Sequence, residues 1–124
     1  TYVVPGERGE ILGYYSLAMG SVGYEEAPAR IAKGLARHDI PVVLMGRFAL
    51  DRGAQGKGLG RALFFDALLR ALHASEAIAA RAFFVHAKDE EARAFYEHFG
   101  MVPAPELPFD LFLLFKDVRA TLGA

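Results

Sequence analysis

One stretch of the sequence restricts the possible folds more than any other. Residues 41–50 form an apolar run, and the segment DRGAQGKGLG, residues 51–60, follows it directly. An apolar run of this length is typical of a strand that is buried on both faces. A helical pattern begins inside the glycine-rich segment, at Lys57, and continues to Ala80. We therefore predict a buried strand, a glycine-rich loop and a long helix in immediate succession.

The elements on either side of this unit predict a mixed α/β sheet. A second buried strand after the long helix implies a parallel pair in the middle of the sheet, while a hairpin before it and a last strand imply antiparallel flanks. Gly100 is expected to cap the helix before that last strand. The predicted order is hairpin, short helix, strand, long helix, strand, helix, strand, over residues 2–5 and 11–22, 25–37, 41–50, 57–80, 81–87, 89–99 and 109–115.

Composition excludes several classes of protein. The chain has 124 residues, enough for one compact domain and too few for two. A net charge of -1 gives no indication of a nucleic-acid binder, although a local basic patch is compatible with it. The absence of cysteine excludes thiol nucleophiles, disulfides and cysteine-ligated metals, and it fits a reducing cytoplasm. No metal and no membrane partner are expected, and because Thr1 is not methionine we expect the natural start to be missing.

The glycine-rich loop predicts a phosphate or pyrophosphate site. Glycines allow a ligand to approach the backbone closely, and the first turn of a helix offers unpaired N–H groups and a favourable dipole to an anion. Lys57 and Arg61 add positive charge. The Walker pattern fails because Gly58 stands where a hydroxyl should follow the lysine, and the dinucleotide pattern fails because Arg61 stands where a glycine is needed. The alternative, a turn without a ligand, conflicts with a cost of about 1 kcal/mol for each glycine inside a helix.

The pattern that remains, Gln55-x-x-Gly58-x-Gly60 after a buried strand, resembles the acetyl-CoA motif [RQ]-x-x-G-x-[GA] of the GNAT N-acetyltransferase superfamily. The segment FYEHFGM, residues 95–101, is similar to that family's FYxxxGF segment, with Met101 in place of the aromatic residue. Residues 34–52 resemble a run found in the GNAT toxins of bacterial type II toxin–antitoxin systems. The resemblance implies a single GNAT domain over residues 1–124, with a mixed sheet whose central parallel strands splay apart between helices and with its N-terminal elements missing.

The resemblance also implies roles for particular residues. Tyr96 would be the general acid that protonates the departing thiolate, although it also fits the apolar face of its helix. Backbone groups near Leu50 would stabilise the oxyanion. No general base is evident, and His86, His98, Glu90 and Glu91 are the candidates. The residues expected to bind acetyl-CoA are Phe48, Ala49, Leu50, Gln55, Gly56, Lys57, Gly58, Leu59, Gly60 and Arg61.

The acceptor is the least determined part of the prediction. An α-amine near pKa ~7.7 is about one third neutral at physiological pH, so it would not need a strong base. The toxin branch acetylates the α-amine of aminoacyl-tRNA, and Arg30, Lys33 and Arg37 could contact its phosphates from one helix face. A solvated face is the other interpretation. A small-molecule amine, a protein N-terminus and a non-catalytic acyl-CoA-binding module stay open as alternatives.

Two partners follow from the same branch of the family. Its toxins are usually homodimers that are neutralised by a ribbon-helix-helix antitoxin. The apolar strand over residues 111–115 and the narrow polar arc of the long helix leave room for a dimer face, with packing inside the chain as the alternative.

Overall fold

The computed structural model of the protein describes residues 2–35, 39–51 and 58–122. One six-stranded sheet runs through them in the order β1-β2-β3-β4-β6-β5. The strands are β1 (Tyr2–Pro5), β2 (Ile11–Val22), β3 (Ile40–Leu50), β4 (Ala82–His86), β5 (Val102–Pro103) and β6 (Asp110–Leu114). The helices are a 3-10 turn (Tyr24–Glu26), α1 (Ala29–Ala32), α2 (Leu59–Ile78), α3 (Glu90–His98) and α4 (Phe115–Leu122).

The predicted mixed sheet is confirmed. β1 and β2 form an antiparallel hairpin, β3 pairs antiparallel with β2 and parallel with β4, and β6 pairs antiparallel with β4. The parallel pair is thus central, and α2 forms the crossover between its strands, as two buried strands around one helix require. Residues 102–103 and 115–122 were not predicted as a strand and a helix.

The predicted helix over residues 25–37 is wrong in extent. The structure has a 3-10 turn and then only the four residues of α1. Pro28 interrupts the two, because the residue before a proline is driven out of the helical region, and Ala27 is extended at φ -100° and ψ 152°. Gly34 then adopts φ +80°, a left-handed conformation that ends a right-handed helix.

Two groups of buried side chains cover the two faces of the sheet. The larger cluster joins one face to α2, α3 and α4 and includes Tyr15, Phe64 and Phe83, which are fully buried. The smaller cluster joins the other face to α1 around Ile40 and Phe112. We call these the three-helix face and the α1 face. None of the helices in the described residues is long and apolar enough to cross a membrane.

The C-terminal strand β6 is buried between β4 and β5. Leu111, Phe112, Leu114 and Phe115 are at most 4% exposed. These side chains therefore pack inside the chain, which is the alternative that the sequence left open for residues 111–115.

Candidate active site

A bulge in β3 shapes the carboxyl end of the central strand. Ser16 is paired with Gly46 and Tyr14 with Ala49, so β3 carries one more residue than β2 over this interval. Arg47, inside the bulge, adopts φ +48°, which is unusual for a residue with a side chain. The Ser16 hydroxyl donates a hydrogen bond of 2.9 Å to the carbonyl of Gly46, which ties the bulge to the neighbouring strand.

The extra residue reverses which side chains of β3 face the three helices. Before the bulge Val43 and Met45 belong to the cluster on the three-helix face, and after it Phe48 and Leu50 pack against the same cluster. In a regular strand, positions 43 and 48 would point to opposite faces. The bulge is therefore the reason that Phe48 reaches α3.

β4 pairs with β3 over only the first half of β3. Their register runs from Val42–Ala82 to Met45–Val85, whereas β3 continues to Leu50. This pairing agrees with two parallel strands that part toward their carboxyl ends. The carboxyl edge of parallel strands, at a point where the strand order reverses, is the usual ligand site of open α/β sheets.

Tyr96 lies at this edge on the three-helix face. Its side chain is 6% exposed, and its ring contacts those of Phe48, Phe64 and Phe95 at centroid distances of 6.1, 6.0 and 5.5 Å. No buried side-chain oxygen or nitrogen in the described part of the chain lacks a hydrogen-bond partner. Since none of the described side chains bonds the Tyr96 hydroxyl, that oxygen must reach accessible space while the ring stays buried.

Burial of the ring extends the pH range in which Tyr96 stays protonated. Desolvation penalises the phenolate and raises the pKa of Tyr96 to about 12. The phenol is therefore neutral at physiological pH, the state in which it can donate a proton. The structure brings together Tyr96 and Phe48, two of the residues that the sequence selected.

The start of α2 lies beside this pair. Gly58 is the N-cap of α2 at φ +76°, a conformation that favours glycine, and it offers no side chain to cap the first-turn N–H groups. A Cβ on Gly60 would lie 3.6 Å from the Phe95 ring and 3.8 Å from Leu50, an ordinary contact distance. Nothing in the described protein therefore requires glycine at position 60, which is consistent with a requirement set by a ligand.

The remaining predicted cofactor residues are only partly visible. Leu59 opens α2, and the Arg61 guanidinium lies 5.6 Å from the Phe65 ring centroid at the exposed side of the same turn. Gln55, Gly56 and Lys57 lie outside the described residues. The described positions 58 to 61 thus place the start of α2 next to Phe95 and Leu50, at the edge where β3 and β4 part.

His86 and Asp110 form a pair at the end of β4. The His86 Nδ1 lies 2.5 Å from the Asp110 Oδ1, and the two residues are also partners in the β4–β6 register. The sequence identified His86 only as one of four possible bases and gave no sign of Asp110. No sequence signal could have found the pair, because it depends on the register of two strands that α3 and β5 separate along the chain.

Two of the three predicted tRNA contacts, Arg30 and Lys33, lie at the other edge of the sheet. Arg30 is in α1 and Lys33 follows it, near the amino-terminal ends of β3 and β4, where the Arg81 guanidinium bonds the carbonyls of Ile31 and Lys33. β3 separates this edge from Leu50 by roughly 30 Å at about 3.3 Å per residue. The Arg30 side chain is paired with Asp117. Arg37 lies outside the described residues, and Lys33 follows α1 as its C-cap, so of the described candidates only Arg30 lies within this helix.

A cavity of about 600 Å³ also lies at that far edge. It is lined by the ends of α2 and β6, the start of β3 and residues of α4, including Pro41, Ser75 and Arg119. Its position at the amino ends of the strands separates it from Tyr96 and Phe48. Within the described ranges, no group of three or more His, Cys, Asp or Glu side chains could hold a metal ion.

The fold and the site together define an open α/β sheet whose central parallel pair ends beside a helix N-terminus, an arrangement in which such sheets commonly bind ligands with an anionic end. Residues 8–109 match the family described as acetyltransferase (GNAT) domain. This chain belongs to the GNAT acetyltransferase family.

Relatives of known identity cover nearly all of the chain. A tRNA-acetylating toxin of Mycobacterium tuberculosis is 45% identical over 115 residues, which cover 93% of this chain and 69% of the relative. The solved structure of AtaT complexed with acetyl-methionyl-tRNAfMet is 30% identical, with a TM-score of 0.85 over 94% of this chain and 70% of that one. A tyrosine-to-phenylalanine variant of the AtaT toxin, bound to acetyl-CoA and the C-terminus of the antitoxin AtaR, is also 30% identical, with a TM-score of 0.74 over 92% and 65% of the two chains.

Proposed function

We propose that this chain transfers the acetyl group of acetyl-CoA to the α-amine of aminoacyl-tRNA and blocks translation as the toxin of a toxin–antitoxin pair. The observation that carries the chemistry is the neutral, buried Tyr96 against Phe48, where β3 and β4 part. The similarity to a tRNA-acetylating toxin and to AtaT with acetyl-methionyl-tRNAfMet supports the acceptor.

The residues at this edge fit acetyl-CoA. Phe48, Ala49 and Leu50 would line the thioester arm, and the start of α2 would hold the pyrophosphate through first-turn N–H groups. The residues assigned to the latter are Gln55, Gly56, Lys57, Gly58, Leu59, Gly60 and Arg61. Bound acetyl-CoA supplies a thioester whose acetyl carbon the acceptor amine can attack directly. A backbone N–H near Leu50 would stabilise the charge that develops on the acetyl oxygen.

Tyr96 is the proton donor in this proposal. As the C–S bond breaks and the N–C bond forms, its hydroxyl hydrogen passes to the sulfur. The amine nitrogen releases one proton, which reaches the solvent, and the phenolate regains a proton from the solvent. Because the pKa of Tyr96 is about 12, the transfer of its proton to a thiolate of ordinary pKa near 8.5 is uphill by roughly 5 kcal/mol. A thiolate in the same apolar surroundings is also desolvated, which raises its own pKa and reduces that difference.

The acceptor follows from the chemistry of amines. An α-amine is substantially neutral at physiological pH, whereas a lysine amine is almost entirely protonated. A small-molecule amine or a protein N-terminus would satisfy the same geometry. The phosphate contacts predicted at Arg30, Lys33 and Arg37 stay a prediction. A tRNA bound at the edge of Phe48 and Tyr96 would have to extend along the strands to reach Arg30 and Lys33.

The remaining assignments concern the extent of the domain, the partners of the protein and its location. We assign residues 1–124 to one domain, because a single sheet runs through the described part. The antitoxin would be of the ribbon-helix-helix type, the active toxin a homodimer, and the location the cytoplasm, where aminoacyl-tRNA is found. The complex of AtaT with the C-terminus of AtaR supports an antitoxin partner.

The experiment combines labelled acetyl-CoA with charged and uncharged tRNA. Label should enter the aminoacyl-tRNA fraction and be lost when the aminoacyl ester is hydrolysed. Tyr96→Phe should reduce kcat by about 10²-fold or more, as loss of a placed acid does. Tyr24→Phe, the same substitution in the 3-10 turn before α1, should retain the activity. Absence of label in aminoacyl-tRNA would refute the acceptor, and full activity of Tyr96→Phe would refute the role of its hydroxyl.

A further inference from the structure

His86 is the residue of β4 that follows the last pair of the β3–β4 register, Met45–Val85. It therefore lies at the point where the two parallel strands part, across from the start of the bulge at Gly46. This is the same edge of the sheet as Phe48 and Tyr96.

The side chain of His86 lies on the opposite face of the sheet from Tyr96. Phe83 and Val85 belong to the cluster on the three-helix face, whereas Phe84 packs against the α1 cluster. Alternation along the strand assigns His86 to the α1 face as well. A thioester in the gap between the strands would thus have a phenol on one side and an imidazole on the other.

Asp110 fixes the orientation of this imidazole. Its carboxylate, 20% exposed, accepts a hydrogen bond from the His86 Nδ1 at 2.5 Å. A proton held on Nδ1 leaves Nε2 as the acceptor nitrogen, since a neutral imidazole carries only one proton. The His86 side chain is 69% exposed, and no other described residue bonds it.

The other candidate bases lack this arrangement. Glu90 is 3.7 Å from the Arg93 guanidinium, and Glu91 is exposed in the first turn of α3. His98 ends α3 and contacts the ring of Phe99, so it lies on the helix layer and not at the strand end. Among these four groups, His86 alone is oriented by a carboxylate at the parting of β3 and β4.

We propose that His86, oriented by Asp110, is the proton acceptor for the attacking amine. This inference rests on the proposed function. The neutral amine attacks the acetyl carbon, the N–C bond forms and the C–S bond breaks. One proton leaves the amine nitrogen for Nε2 of His86 and is then released to water, while the thiolate takes its proton from Tyr96. The acceptor therefore approaches from the α1 face.

The test compares His86→Ala with His98→Ala, a matched exposed histidine away from the strands. Transfer to aminoacyl-tRNA is measured with and without added imidazole, with kcat and both KM values determined for each protein. His86→Ala should lower kcat by roughly 10²-fold, with KM little changed. Imidazole should restore part of that rate, whereas His98→Ala should behave as the unaltered protein. Asp110→Asn should lower kcat by less than His86→Ala.

Two results would overturn the inference while leaving the proposed function intact. One is an unchanged kcat of His86→Ala. The other is a loss of activity that imidazole does not restore and that appears as a higher KM for the tRNA. That result would indicate that His86 contacts the tRNA or stabilises the fold. Failure of the unaltered protein to acetylate aminoacyl-tRNA refutes the proposed function instead. If it acetylates another amine, the same variants measured on that amine still decide the role of His86.

Discussion

Replacing Ser16 by alanine removes the hydrogen bond that ties the β3 bulge to β2. The lost bond is 2.9 Å long and half-buried, so its net contribution to the free energy of unfolding is about 1 kcal/mol. The left-handed conformation of Arg47 costs a similar amount, about 1–2 kcal/mol. Without the Ser16 hydroxyl, the bulge therefore loses an interaction comparable to the strain that it holds.

The consequence for function follows from the alternation of side chains. If the bulge relaxes to a regular strand, position 48 turns toward the α1 face and the Phe48–Tyr96 contact is lost. If the bulged strand becomes less stable by about 1 kcal/mol relative to a regular strand, kcat/KM for acetyl-CoA should fall about fivefold. The melting temperature should fall by about 4 °C.

Ser21→Ala is the matched control, because Ser21 is an exposed serine of the same strand opposite Pro41. Its unfolding free energy should stay within about 0.5 kcal/mol of the original. Thermal denaturation and steady-state kinetics on acetyl-CoA measure both quantities for the two variants. If Ser16→Ala melts and reacts as Ser21→Ala does, the bulge does not depend on the Ser16 hydroxyl and the reasoning fails.

Three further predictions concern stability around the site. Gly60→Ala should raise the free energy of unfolding by up to about 1 kcal/mol, since the new Cβ has room and alanine favours a helix; a lower stability on denaturant unfolding would contradict this. Gly13→Ala should lower the free energy of unfolding by about 1–3 kcal/mol, because the new Cβ would lie 3.0 Å from the Ala49 carbonyl oxygen and 2.9 Å from the Leu50 side chain. An unchanged denaturation midpoint would show that β3 can shift to accommodate the methyl group. The pKa of Tyr96 is raised by burial from 10 to about 12, so its contribution to stability is complete below pH 10 and is lost as pH rises through about 12. The stability difference between the original protein and Tyr96→Phe should therefore shrink by on the order of 2 kcal/mol over that interval, and a constant difference in alkaline unfolding experiments would argue against a buried phenol.

Features that depend on a single helix or strand could be predicted from the sequence. The apolar run before the glycine-rich segment is β3, and the spacing of Phe95, Tyr96 and Phe99 indicated the buried face of α3. Gly100 ends α3 at φ +92°, as a C-terminal glycine predicts. The same kind of pattern failed at residues 25–37. Acids at the start, bases toward the end and the spacing of Ile31 and Leu35 predicted one helix there, which Pro28 and Gly34 break in the structure.

The sequence by itself determined the order of the elements other than β5 and α4, the glycines at the start of α2 and the place of Tyr96 on the apolar face of α3, because helix and strand periods and caps are local properties of the chain. The tertiary structure alone decided the bulge at Arg47, the contact of Phe48 with Tyr96 and the pairing of His86 with Asp110. Each of these depends on the register between segments that are distant in sequence, and a shift of one residue in register moves every following side chain to the other face. The same reason explains why Arg30 and Lys33, expected to contact the acceptor, lie at the far edge of the sheet.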